Sequence, residues 1–422
     1  MPTYTEVEVR PAAAASQSPV ARGPEPCLAP ARVASVDILR GCAVILMTLD
    51  HTRDFFTNSQ FAPEDIAHTS AALFFTRWVT HFCAPAFFLL AGTGVYFSIA
   101  RGRSRAEVSR YLMIRGTFLV LLNLTVVAFA WSSEFFLFSG VLWSLGFSMI
   151  VLALLIRLPV RWIAAISAVT IAGHNLLDRF DPAKMGDFFG PLWLVLHGYG
   201  VFWIVPGRVA FSVVWPIIPW AAVMALGYAV GPLLDGTAKK NPLFSIGAGL
   251  VAAFLVLRLF KLYGNGHARV FGVAAGQWHH EATAALTVAS FLNTLKYPPS
   301  LQYLLMTLGP IFMVLAWLGA RKSTGTLARV IAVFGRVALF FYVVHLFVVR
   351  MAAFYAALLF KQKAVWLLYG GFMMNPTPAG YGHGVAFIYG MTFAILVFMY
   401  PVCWAFMRFK QTHPSQRWLH YL

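Results

Sequence analysis

Ten apolar runs, each near the ~20 residues that carry a helix across a bilayer, take up most of this chain. They cover residues 35–51, 72–100, 110–131, 136–156, 160–177, 208–233, 243–261, 300–320, 330–359 and 384–408. Such runs restrict the fold to an all-α, polytopic transmembrane helical bundle of about ten spans, because in lipid a backbone must satisfy its own hydrogen bonds. Composition agrees: of 422 residues 59% are hydrophobic and 11% charged, with mean hydropathy +0.72. Soluble domains carry about 25% charged residues, so this chain cannot cover a water-facing surface, and its main partner is the lipid bilayer.

The net charge of +17 is read the same way. Lys and Arg collect in cytoplasmic loops of membrane proteins, and no nucleic-acid partner is expected. Basic residues mark every second connection: Arg101, Arg103, Arg105 and Arg110; Arg157 and Arg161; Lys239 and Lys240; Arg321, Lys322 and Arg329; Arg408, Lys410 and Arg417. The alternate connections are mixed or acidic, as in 52–71 with Asp54, Glu64 and Asp65. The alternation predicts both termini on the cytoplasmic side. Residues 1–31, rich in Ala and Pro, read as a disordered tail, 32–412 as one membrane domain and 413–422 as a short cytoplasmic tail. Cys27, Cys42, Cys83 and Cys403 are scattered, so neither a disulfide framework nor a metal site is expected.

Ionisable residues inside spans are costly and are functional candidates by default. One group falls at the cytoplasmic ends. Asp37 and Arg40 share a face of the first helix, Arg115 enters the third and Arg336 the ninth. Three guanidinium groups against one carboxylate fit a phosphorylated cytosolic ligand; they fit equally an ion-pair network with side chains reaching to the interface. A second group falls toward the outer face: Asp50, His51 and Asp54 close the first helix, and Arg77 and His81 open the second. A histidine beside carboxylates offers a general base, although a hydrated helix end has the same composition. His345 reads as a packed core histidine, Arg350 as a possible partner of the outer group, and His279 and His280 as solvated loop residues. Asp37 and His51 are 14 residues apart, or ~21 Å at ~1.5 Å per residue. One molecule with a phosphate head and a long flexible arm would join the two groups, and acyl-coenzyme A has that shape.

The strings RVASVDILRGCAVILMTLDHTRDFF (32–56), THFCAPAFFLLAG (80–92), NTLKYPPSLQYLLMTLGP (293–310) and FGRVALFFYVVHL (334–346) resemble the bacterial branch of the heparan-alpha-glucosaminide N-acetyltransferase catalytic-domain family. The resemblance runs over nearly everything after residue 31. It implies a multispan acyltransferase, taking an acetyl or other acyl group from cytosolic acyl-coenzyme A to an acceptor at the outer face. That acceptor is expected to be an envelope sugar, a glycan or a small molecule, and the protein is expected in the bacterial inner membrane. The family places its catalytic histidine in the outer segment between the first two helices. An asparagine stands there at the position of His51, and the loop histidine nearest in order here is His68; the DHTRD and THFCAP strings favour His51. On this reading Arg40, Asp37, Arg115 and Arg336 hold the donor. Asp50 or Asp54 orients His51, and Arg77, His81 or Lys296 stabilises the oxyanion. The residues alone also fit a transporter or flippase, or a non-catalytic scaffold, and the apolar surface fits a homodimer.

Overall fold

The computed structural model describes residues 31–132, 137–234, 242–266, 269–270, 273–274, 276–321, 325–369 and 377–420. The expected N-terminal tail, Cys27, Lys239, Lys240 and Lys322 lie outside the described residues. The chain folds as a helical membrane protein. Among the described residues six helical stretches are long and apolar enough to cross a membrane: Ala71–Ala100, Arg105–Ser132, Val160–Arg179, Leu301–Ala320, Ala338–Leu359 and Val385–Thr412. Shorter apolar helices are Val141–Leu155, Gly186–Leu196, Ile217–Ala229 and Leu243–Leu259.

Helix α1 (Ala31–Phe56) runs through the centre. It packs against α2 (Ala71–Thr80), α3 (Cys83–Ala100), α13 (Leu301–Ala320), α14 (Thr326–Arg336), α15 (Ala338–Leu359) and α16 (Val385–Thr412). This central place lets a helix with six charged or histidine side chains between Asp37 and Asp54 sit in a membrane protein: its neighbours, not lipid, surround them. Two glycines set the closest approach. A Cβ on Gly41 would collide with the Ile331 carbonyl, and one on Gly335 with the Asp37 carbonyl. Small residues let backbones meet, and this contact brings Arg336 beside Asp37 and Arg40.

Around that axis, α3 packs on α9 (Ile217–Ala229), α4 (Arg105–Leu122) on α6 (Val141–Leu155), and α11 (Leu243–Leu259) on α13; α7 (Val160–Gly173) also rests on α9. After α4 the helix widens into a π turn, Asn123–Val127, before α5 (Ala128–Ser132). The shorter elements are α8 (Gly186–Leu196), α10 (Gly231–Leu234) and α12 (Ala284–Leu292).

Several elements depart from the hydropathy reading. The first helix passes residue 51 and ends at Phe56, so Arg53 and Asp54 stand on it and not in a loop. The run 208–233 splits. Residues Val209–Val213 form strand β3, paired antiparallel to β2 (Gly200–Val205) through a turn in which Gly207 takes φ 68°, and the helix starts only after Pro216. Strand β1 (Leu137–Ser139) adds in parallel to β3, giving a sheet of order β1-β3-β2. The run 330–359 breaks at Val337, between α14 and α15. Helix α8 starts at Gly186, only a few residues after the fifth apolar run ends at 177.

Candidate functional site

Four helices turn one stripe each toward a shared cavity of about 1220 Å³. On α1 the stripe is Arg40, Met47, His51 and Asp54; on α4 it is Val108, Tyr111, Arg115 and Leu119; on α6 it is Leu142, Leu145 and Met149. Steps of three, four and seven residues keep each stripe on one helix face. From α3, Leu90, Gly94 and Ser98 complete the wall. The middle is thus apolar and the two ends are charged.

At the basic end, Arg40 Nη1 donates to Asp37 Oδ1 and to the Gly335 carbonyl, both at 3.4 Å, and Arg336 Nε donates to Asp37 Oδ2 at 3.3 Å. Arg115 Nη1 donates to the Tyr111 hydroxyl at 2.7 Å, and Arg103 stands over the same ring, 5.3 Å from its centre. Arg101, Arg103 and Lys410 line the cavity beside the three expected arginines. The sequence read these three only as basic residues of cytoplasmic connections. Asp37 is the single anion opposite six cations among the residues named here.

At the histidine end the carboxylates face arginines. Asp50 accepts two bonds from Arg77 Nη1 at 2.7 Å, one from Arg53 at 2.9 Å and one from the Thr80 hydroxyl at 2.9 Å. Asp54 accepts from Arg53 at 2.6 Å. Arg77 Nε donates to Glu64 at 2.7 Å. Glu64, on the loop between α1 and α2, is half-buried, which by itself raises a carboxyl pKa; the Arg77 guanidinium outweighs this and holds it well below the usual carboxylate range.

His51 is placed differently from the expectation. Neither aspartate orients it. Its Nδ1 lies 2.7 Å from Nε2 of His345 on α15, the two rings meeting edge to edge with planes 15° apart and centres 5.0 Å apart, and Trp131 meets His51 edge-on at 4.9 Å. His345 is therefore part of this site, although the sequence marks it as core packing. Arg77 lines the cavity, and His81 is not among its lining residues. The guanidinium of Arg77 is taken up by Asp50 and Glu64. His81 is 1% exposed, 3.8 Å from Glu64, and neither of its ring nitrogens makes a hydrogen bond. Its carbonyl accepts from the Tyr303 hydroxyl at 2.7 Å, which fixes the turn between α2 and α3. Lys296 does face the cavity, its ammonium 5.6 Å from the Trp215 ring and 5.1 Å from that of Tyr297, with no carboxylate within ion-pair reach among the described residues. His68 stands apart, exposed and bonded to Asp65 at 2.7 Å. Arg350 donates to the carbonyls of Phe129, Ala130, Leu367 and Leu368.

The family model for "heparan-alpha-glucosaminide N-acetyltransferase, catalytic" matches residues 32–261. The chain belongs to this family. Among curated proteins none matches it. The matched stretch contains α1 to α11 and so Arg40, His51, Arg77 and Arg115; Lys296, Arg336 and His345 lie beyond it, although the cavity draws on both parts. The family is one of membrane acyltransferases, which favours the enzyme over the transporter or scaffold readings.

Proposed function

We propose that this chain moves an acetyl or other acyl group from cytosolic acyl-coenzyme A to an acceptor at the opposite face of the membrane. The observation that carries the proposal is the single cavity with six cations at one end and His51 at the other. Arg40, Arg115 and Arg336 bind the phosphates of the donor, with Arg101, Arg103 and Lys410 adding charge. The pantetheine arm follows the apolar middle past Met47, Leu119 and Leu142. The thioester then reaches His51.

In the reaction, His51 Nε2, the ring nitrogen not bonded to His345, takes the proton of an acceptor hydroxyl or amine. The freed lone pair attacks the thioester carbonyl carbon, and Lys296 donates to the oxyanion that forms. The carbon–sulfur bond breaks, and the coenzyme A thiolate takes the proton back from His51. Asp54 and Glu64, with Thr57, Ser59 and Gln60 at the outer mouth, present acceptor groups suited to a polyhydroxyl acceptor. The basic end faces the cytoplasm in this reading, as the alternation of loop charge requires. Both termini then lie there too, and the bacterial inner membrane is the proposed location.

The test is a His51→Ala variant, with acetyl-coenzyme A as donor and glucosamine as probe acceptor. Transfer is expected to fall by ~10²–10⁴-fold, the usual worth of a general base, with donor binding kept. Undiminished transfer would refute the assignment.

A further inference from the structure

His51 and His345 come from helices 294 residues apart, yet their nitrogens meet at 2.7 Å. Such a contact needs one proton between two nitrogens, and the structure determines which ring supplies it. His345 Nδ1 lies 2.9 Å from the Phe341 carbonyl, an oxygen that only accepts, so Nδ1 carries a hydrogen and donates. Among the described residues no carboxylate lies within ion-pair distance of either ring, and His345 is fully buried. A charge buried without a partner is expensive, so His345 is a neutral imidazole with its one hydrogen on Nδ1. Its Nε2 is then a lone pair, and His51 must donate from Nδ1. That leaves the lone pair of His51 on Nε2. The opposite arrangement, with an imidazolium His345 donating, would put the hydrogen of His51 on Nε2 and remove the base.

We propose that His345 is the positioning residue of this enzyme: by accepting from His51 Nδ1 it fixes the His51 tautomer and leaves Nε2 free to take the acceptor's proton. The proposal rests on the reading of His51 as the base. The geometry is held from two sides: Phe341 lies nearly parallel to the His345 ring at 5.0 Å, and the His51 and His345 rings, 15° apart in plane with centres 5.0 Å apart, meet edge to edge at the two nitrogens. A neutral ring thus fills the place that a carboxylate fills in most histidine-based sites. When His51 takes up a proton, the bond to His345 can carry part of the resulting charge toward the Phe341 carbonyl. This needs no buried anion, and it leaves Asp50 and Asp54 free for the arginines.

The test is solid-state NMR of the full chain, labelled with nitrogen-15 at histidine and held in lipid bilayers. His51→Asn and His345→Leu variants assign the two signals. The expected result is a proton on Nδ1 of His51 in the unaltered protein, with that preference lost in His345→Leu. In transfer of acetyl from acetyl-coenzyme A to glucosamine, His345→Leu should lower kcat by ~10–100-fold, the usual worth of a supporting hydrogen bond. KM for acetyl-coenzyme A should stay within about twofold. His345→Gln, which keeps an acceptor near the Nε2 position, should recover most of the loss. A proton on Nε2 of His51, or a tautomer that His345→Leu leaves unchanged, overturns the proposal. If His345→Leu does not fold, the tautomer of the unaltered protein decides alone. Full activity in His51→Ala would instead remove the base reading and leave the tautomer result standing.

Discussion

At the histidine end Arg77 meets Asp50 and Glu64 at 2.7 Å with its side chain 8% exposed; at the basic end Arg336 reaches Asp37 at 3.3 Å with its side chain 46% exposed. Arg53 repeats the first pattern, 6% exposed and 2.9 and 2.6 Å from two aspartates, and Arg40 the second, 24% exposed and 3.4 Å from its one. Short and largely buried, with two guanidiniums against three carboxylates, the first set finds its ion-pair partners within the protein. The second set is long, part-exposed and in cationic excess, so its partner comes from outside. On the proposed reading, one end is tied together within the protein and the other binds an anion that arrives and leaves.

That contrast is open to direct attack. The largest expected effect is on rate, in the His51→Ala variant described above. Next is stability: Arg77→Leu takes from Asp50 two of its four hydrogen bonds and from Glu64 its guanidinium partner, and breaking such a buried pair costs about 3–5 kcal/mol. Thermal unfolding in detergent should show a large loss, whereas Arg336→Ala, an exposed pair, should change stability by at most about 1 kcal/mol. Equal losses in the two variants would erase the distinction between the ends. The order reverses for the donor. Arg40→Ala with Arg115→Ala should weaken acetyl-coenzyme A binding by at least ~10-fold in calorimetry, since a hydrogen bond to a charged group is worth about 1.5–3 kcal/mol, and the remaining affinity should fall further with added salt. Smallest is a pH effect at Glu64. Its pKa is depressed by Arg77, so it contributes stability above the unfolded value of about 4.3 and loses it as pH falls through the lower folded value. Glu64→Gln should flatten the acid side of a melting-temperature profile and leave the neutral side parallel to that of the unaltered protein.

What the sequence made legible follows from what is local. Asp37 and Arg40, three apart on one helix, were visible as a pair, and charges within an apolar run flagged α1 as buried. The spans themselves stood out because lipid imposes length and composition. The hairpin of β2 and β3 did not, because a short apolar run reads alike as strand or helix. His345 was read as core packing because its partner is 294 residues away, and a lone histidine in a span carries no signal of what faces it. Glu64 meets Arg77 only once the loop closes over α2. Arg101, Arg103 and Lys410 looked like ordinary positive loop residues until α3, α4 and α16 brought them to one mouth.

The most direct test of the central claim, that one cavity joins a phosphate site to His51, is a structure of the His51→Ala variant with acetyl-coenzyme A bound. The account predicts the donor phosphates on Arg40 and Arg115 and the thioester carbonyl in the space opened by the lost imidazole, within about 3–3.5 Å of where His51 Nε2 stands. A donor whose phosphates sit elsewhere, or whose thioester stops short of that space, would contradict it.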